Sequence, residues 1–93
     1  MKAAVVVGID NYAHAPLGGC VEDALSVTGA LEKHHDGAEN FSVMTILSSA
    51  EVVTRVRLRS ALAQLFSGNF ETVLFYFAGH GTINDLGGYV VTQ

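Results

Sequence analysis

The chain has little of what staples, punctuates or charges a small protein. Among its 93 residues are one cysteine, one proline and no tryptophan. A single thiol, Cys20, excludes an internal disulfide, and a reducing compartment, the cytoplasm, is the expected setting. Five Lys and Arg stand against nine Asp and Glu, for a net charge of -4. That balance offers no basic patch for a phosphate backbone, so no nucleic-acid partner is expected. Arg55, Arg57 and Arg59 are the one basic cluster, and their two-residue spacing spreads them around a helix as a solvated face. No stretch approaches the roughly 20 apolar residues of a membrane span. The apolar run after Met1-Lys2 is too short for a signal peptide and soon meets Asp10. No membrane partner is therefore expected. Gly8, Gly18 and Gly19 form no phosphate-binding or dinucleotide-binding pattern. His14, His34 and His35 have no second His or Cys pair at ligand spacing. No cofactor or metal is identified.

What is present is apolar sequence in short, well-separated runs. Hydrophobic residues make up 49% of the chain and charged residues 15%, a composition that demands high burial in a single domain over 1–93. Ala3 to Ile9 is a continuous apolar run that reads as a strand buried on both faces. Val21 to His34 carries an apolar stripe at Val21, Ala24, Leu25, Thr28 and Leu31, as a helix would. Phe41 to Leu47 reads as a second strand. Thr54 to Phe66 reads as a helix with Leu58, Ala61, Leu62, Leu65 and Phe66 on one face. Thr54 is its expected N-cap, with Val53 and Leu58 placed as a hydrophobic staple. Ser67-Gly68-Asn69 is expected to stop it. Thr72 to Ala78 is a third strand, and Gly88 to Thr92 fits the start of a short hairpin strand.

Strand-helix-strand-helix-strand order implies parallel strands joined by right-handed crossovers. With one helix on each face the strand order is 2-1-3, a three-layer α/β/α arrangement. A crevice then opens at the C-terminal ends of strands one and three, where the connections leave in opposite directions. Asp10, His80, the Gly18-Gly19 loop and Asp23 all belong to that edge. Strand three would stand at the sheet margin, yet its run Val73 to Phe77 is apolar on both faces. An exposed apolar edge invites pairing. A partner strand from later sequence or from a second copy is expected there.

His80 is the first candidate for chemistry, because an exposed imidazole at a strand tip suits a general base. Gly79 and Gly81 let the backbone turn beside it, and the Gly81 amide would point into the same crevice as an oxyanion donor. The plainer alternative is a strand-end histidine making a turn hydrogen bond. Asp23 is the second candidate, though an acidic residue in a first helical turn also stabilises the helix dipole, as Glu22 beside it does. Cys20, the only thiol, lies at a helix N-terminus, which lowers a thiol pKa, so a nucleophile stands here beside the reading as a packed thiol. Asp10 and Tyr12 read as an Asx turn and a packed aromatic. His34-His35 reads as a pair complementing a helix C-terminus, and Asp85 as a turn residue.

Three motifs, in order, carry a family resemblance: Gly8-Ile9-Asp10-Asn11-Tyr12, then Cys20-Val21-Glu22-Asp23-Ala24, then Phe75-Tyr76-Phe77-Ala78-Gly79-His80-Gly81. Together they resemble the N-terminal part of a caspase-like cysteine peptidase of the metacaspase and bacterial caspase-homologue type. The resemblance implies an incomplete caspase-like α/β/α fold and cleavage through a Cys-His dyad. It implies His80 as the catalytic histidine and Gly81 as the oxyanion glycine. It implies Asp23 in the pocket that selects Arg or Lys, with Cys20 bordering that pocket, and a nucleophilic cysteine on a complementary C-terminal segment beyond Gln93. A carboxylate in such a pocket, partly dry, would pair strongly with a guanidinium. Ala78 stands where many metacaspases have serine, and the family's calcium-site region is absent, so calcium dependence is unreadable. Two other readings stay open at this stage. One is a non-catalytic pseudo-peptidase or scaffold acting through its strand edge, and the other is a different α/β domain using the same crevice.

Overall fold

The computed structural model describes residues 1–34, 37, 39–84 and 87–93, which leaves His35 and Asp85 outside the described residues. Among the described residues five strands and two helices follow in the order β1 (Lys2–Gly8), α1 (Cys20–Glu32), β2 (Phe41–Leu47), α2 (Arg55–Ser67), β3 (Thr72–Ala78), β4 (Gly81–Asn84) and β5 (Gly87–Val90). The first three strands form a sheet in the order β2-β1-β3. Both pairings are parallel, with Val5 opposite Met44 on one side and Phe75 on the other. The α/β architecture and strand order read from the sequence are those of the molecule.

β1 is the centre. Val5, Val6, Val7 and Ile9 are essentially inaccessible to solvent. Fully burying one such side chain stabilises by about 1.5–3 kcal/mol, more than a single helix cap contributes. Successive strand side chains alternate between faces. Ala3, Val5, Val7 and Ile9 accordingly join Ile46, Leu58, Ala61 and Leu65 in one core beneath α2. Gly8 faces α1, where a Cβ would lie 2.7 Å from the Cys20 carbonyl oxygen and 2.8 Å from the Ala24 Cβ. α1 also crosses β2, with Thr28 Oγ1 and Thr45 Oγ1 3.0 Å apart. Thr28, expected on the apolar stripe through its methyl, therefore enters that interface through its hydroxyl.

Helix boundaries follow local chemistry. Thr54 caps α2, its Oγ1 accepting from the Arg57 amide at 3.1 Å, and Val53 and Leu58 are both buried at its start. Gly68 ends α2 in extended backbone while its amide donates to the Gln64 carbonyl at 3.1 Å. Phe66 does not share the buried face but is 67% exposed. At 100° per residue it falls at the margin of the stripe made by Leu58, Ala61 and Leu65. Leu25 likewise faces solvent on α1. α1 ends at Glu32, two residues earlier than the sequence pattern implies, because Lys33 is already extended and bridges Glu39. His34 thus lies past the helix end and does not sit in its last turn. Arg57 departs from the solvated face as well: its Nε is 2.8 Å from Glu51 Oε1 and its Nη1 donates to Met44 Sδ at 3.9 Å, whereas Arg55 and Arg59 are exposed.

β3 is unevenly covered. Val73 and Phe75, on the α2 side of the sheet, remain more than a third exposed. Among the described residues no strand pairs with the outer edge of β3. After Ala78 the chain turns at Gly79-His80 into the antiparallel hairpin β4-β5, with Gly81 opposite Val90. No helix among the described residues is long and apolar enough to cross a membrane.

The close approach at Gly8 makes a direct test. Gly8→Ala forces a Cβ into the α1 backbone and is expected to cost about 1–3 kcal/mol. Gly18→Ala enters open space and should stay within about 0.5 kcal/mol of wild type. Urea unfolding of both variants reads the difference; equal midpoints would contradict the packing described.

Candidate active site

The crevice at the C-terminal tips of β1 and β3 is built by one short loop and one strand end. The Ile9 amide donates to the Ala78 carbonyl at 2.9 Å, which ties the two tips together. The chain then makes a loop whose two ends are both held by the Asp10 carbonyl, which accepts from the amides of Tyr12 at 3.0 Å and Leu17 at 2.9 Å. On the outer turn of that loop Ala15 adopts a left-handed φ of 55°. For an alanine this conformation costs about 1–2 kcal/mol, so the surrounding contacts must hold it.

One of those contacts is to the candidate base. His80 Nε2 lies 2.6 Å from the Ala15 carbonyl oxygen. A carbonyl can only accept, so Nε2 carries the hydrogen, and in the neutral ring Nδ1 is left as the acceptor. The backbone of His80 is held as well. Its amide donates to the Tyr12 hydroxyl at 3.0 Å, and its carbonyl accepts from the Val91 amide at 2.9 Å. That last bond makes Gly81–Val90 a non-hydrogen-bonded pair of the hairpin ladder, which directs the Gly81 amide away from β5.

Tyr12 is the residue that sequence reasoning undervalued. It is a buried aromatic, as expected, but its hydroxyl also donates to the Val91 carbonyl at 2.7 Å, and its ring centroid is 4.5 Å from that of His80. Burial pushes its pKa up; the His80 amide works against this, and nearby Cys20 and Asp10 add to it. Gly79 makes room, since a Cβ there would sit 2.5 Å from the Tyr12 hydroxyl. The sequence signal was the placement of Tyr12 two residues beyond Asp10 at the tip of β1.

Asp10 does not make the expected Asx turn. Its Oδ1 accepts from the Cys20 amide at 2.8 Å and its Oδ2 from the Val21 amide at 3.1 Å. The N-cap of α1 is Gly19, which has no side chain to offer, so a carboxylate from the tip of β1 satisfies the first-turn amides instead. Its own amide is held by Ser48 Oγ at 3.0 Å. Desolvation opposes the charge, yet the Val21 and Cys20 amides, with the Cys20 thiol and the Gly19 amide, outweigh it and hold the Asp10 carboxyl below its ordinary pKa.

The same carboxylate acts oppositely on Cys20. Burial pushes the thiol pKa up, and Asp10, as hydrogen-bond partner and as a negative charge, and then Asp23 push it further. The lowering effect of a helix N-terminus is overridden, so the only thiol of the chain is a protonated one at neutral pH. Asp23 stands in the first turn of α1 and is exposed. The partly dry carboxylate expected there is not found: the amide-capping role that would bury an acid at this helix start belongs to Asp10. The structure thus gathers Asp10, Cys20 and Asp23 at the α1 N-terminus and His80, Tyr12 and Ala15 beside it. Asp10 to Tyr12 is the segment common to both groups. Among the described residues no group of three or more His, Cys, Asp or Glu side chains could hold a metal ion.

A family model described as the caspase domain matches residues 1–93. No curated protein sequence and no solved structure matches the chain.

The capping carboxylate has a pH signature. A carboxyl held below its ordinary pKa stabilises the fold above the unfolded value of about 3.9 and gives that contribution up as pH falls through the folded value. Asp10→Asn is expected to lose about 1 kcal/mol at neutral pH, and the gap to wild type should close in acid below about pH 4. The same variant should react faster with iodoacetamide at Cys20, because a negative neighbour is gone. Chemical denaturation across pH and timed alkylation measure both. A pH-independent gap, or slower alkylation, would remove Asp10 from these roles.

Proposed function

Because the chain belongs to the caspase-domain family of cysteine peptidases, we propose that it supplies the acid-base half of a caspase-like endopeptidase site. In this reading it is the N-terminal, large-subunit-like part of a metacaspase-type enzyme in a reducing cytoplasm. His80 is the general base and Gly81 the oxyanion donor. A complementary segment brings the nucleophilic cysteine. The observation that carries the reading is the 2.6 Å contact from His80 Nε2 to the Ala15 carbonyl. It spends one ring nitrogen on orientation and leaves Nδ1 to take a proton.

The chemistry follows from that tautomer. A thiol placed against Nδ1 transfers its proton to the ring and attacks the scissile carbonyl. The carbonyl oxygen becomes an oxyanion that the Gly81 amide, turned away from β5, can bind. The resulting imidazolium is stabilised by the Ala15 carbonyl and returns its proton to the departing amine. Water then releases the acyl group with His80 again as base.

Cys20 is a pocket-lining thiol in this scheme. Its protonated state and its link to Asp10 argue against nucleophilic attack. Asp23 favours Arg or Lys at the residue before the cleaved bond. An exposed carboxylate contributes only about 0.2–1 kcal/mol to such a pair, so its share of specificity is modest. The complementary segment is proposed to pair along β3, whose open edge and exposed Val73 and Phe75 need cover. The same edge supports a second reading, a scaffold that binds through β3 and catalyses nothing.

Two experiments separate these. The 93-residue chain alone should not cleave fluorogenic Arg or Lys peptides; turnover abolished by Cys20→Ala would promote that thiol to nucleophile. With a complementary cysteine-bearing segment added, activity should appear and fall about 10²–10⁴-fold in His80→Ala, with little change in Cys20→Ser. Asp23→Ala should lower kcat/KM for Arg substrates by up to about five-fold. A reconstituted complex with no turnover would favour the scaffold, and a preference for Asp before the cleaved bond would end the assignment of Asp23.

A further inference from the structure

We propose that Tyr12 is the positioning residue of His80: its hydroxyl is a wedge in the base of the β4-β5 hairpin that turns the imidazole toward the Ala15 carbonyl. The proposal rests on the reading of His80 as general base and adds the device that sets its tautomer.

The ladder makes the argument. Gly81 faces Val90 and Thr82 faces Tyr89, so the next pair outward is His80 with Val91. Alternate pairs of an antiparallel ladder exchange two N–H···O bonds. Half of that exchange exists, from the Val91 amide to the His80 carbonyl at 2.9 Å. The other half would run from the His80 amide to the Val91 carbonyl. The Tyr12 hydroxyl stands in its place, accepting from the His80 amide at 3.0 Å and donating to the Val91 carbonyl at 2.7 Å. The hairpin is thus spread by one hydroxyl at the residue that bears the imidazole.

Three further facts fit a wedge rather than incidental packing. Burial raises the pKa of the hydroxyl, which suits its role as donor to the Val91 carbonyl. Gly79 leaves the space it fills, since a Cβ would approach within 2.5 Å. The Tyr12 ring also meets the imidazole at 4.5 Å and 52°, so the same side chain sets the backbone and bounds one side of the ring. Without the hydroxyl, the direct bond from the His80 amide to the Val91 carbonyl becomes available. The hairpin base can then close and draw the imidazole off Ala15.

Tyr12→Phe keeps the ring and removes the wedge. Nitrogen-15 NMR of the 93-residue chain reads the tautomer of neutral His80. Wild type is expected to be almost wholly the Nε2–H form, and Tyr12→Phe a mixture of both tautomers. Gly79→Ala, which retains the hydroxyl but displaces it, should show the same mixture and covers the case in which Tyr12→Phe fails to melt cooperatively. In the reconstituted peptidase, Tyr12→Phe should lower kcat about ten-fold or more with KM within about two-fold, as misplacement of a reacting group does. An unchanged tautomer in both variants, or an unchanged kcat, overturns the proposal. Failure of the underlying reading shows separately, as full activity in His80→Ala, while the tautomer measurement on the chain still judges Tyr12.

Discussion

Everything at the crevice hangs from the C-terminal tip of β1. That strand is hydrogen-bonded along both edges and buried on both faces. A segment so constrained opens last in any local fluctuation. Asp10 leaves it to cap α1, and two residues later Tyr12 leaves it to meet His80. A rigid origin is what a site needs when its working groups sit on a loop and a strand end. The burial of Val5, Val6, Val7 and Ile9 is therefore the energetic foundation of the site as well as of the sheet.

One carboxylate then divides the local chemistry. Asp10 is kept ionised by backbone amides, and its charge is spent on α1. Burial pushes the pKa of the Cys20 thiol and of the Tyr12 hydroxyl up, and the same charge adds to both shifts. A protonated thiol is a poor nucleophile, and a protonated phenol is the donor that the Val91 carbonyl requires. Capping of α1 and the upward shifts at Cys20 and Tyr12 thus share one contributor, the Asp10 carboxylate.

The fold was legible because its information is local. Apolar runs of seven residues, a Thr54 cap and a Gly68 stop each announce an element within a few positions. The parallel 2-1-3 order followed from the alternation once one helix was placed on each face. The site was legible only in part. His80 stood out through its strand and flanking glycines, but its two anchors did not, because they are distant in sequence. Ala15 contributes a carbonyl, which no side-chain pattern reveals, and its left-handed φ is visible only in three dimensions. Asp10 was misread because a capping residue normally precedes its own helix, whereas here it comes from ten residues upstream. Phe66 and Leu25 were misread as buried because helical periodicity names a face and not how far the sheet extends beneath it.

That last point bears on β3. α2 packs over β1, with Ile46 of β2 in the same core, and the α2-side positions of β3 keep Val73 and Phe75 partly in water. The strand with the least cover is also the one whose tip leads through Gly79 to His80. Its inner edge is fixed to β1 as far as Ala78, while its outer edge is open among the described residues. Any strand that pairs there would extend the sheet beside these two apolar side chains and stiffen the run into Gly79 and His80. Its own tip, in parallel register, would arrive beside His80. Under the proposed reading, the complementary segment that pairs along β3 would extend the sheet and bring the second reacting group to His80 together.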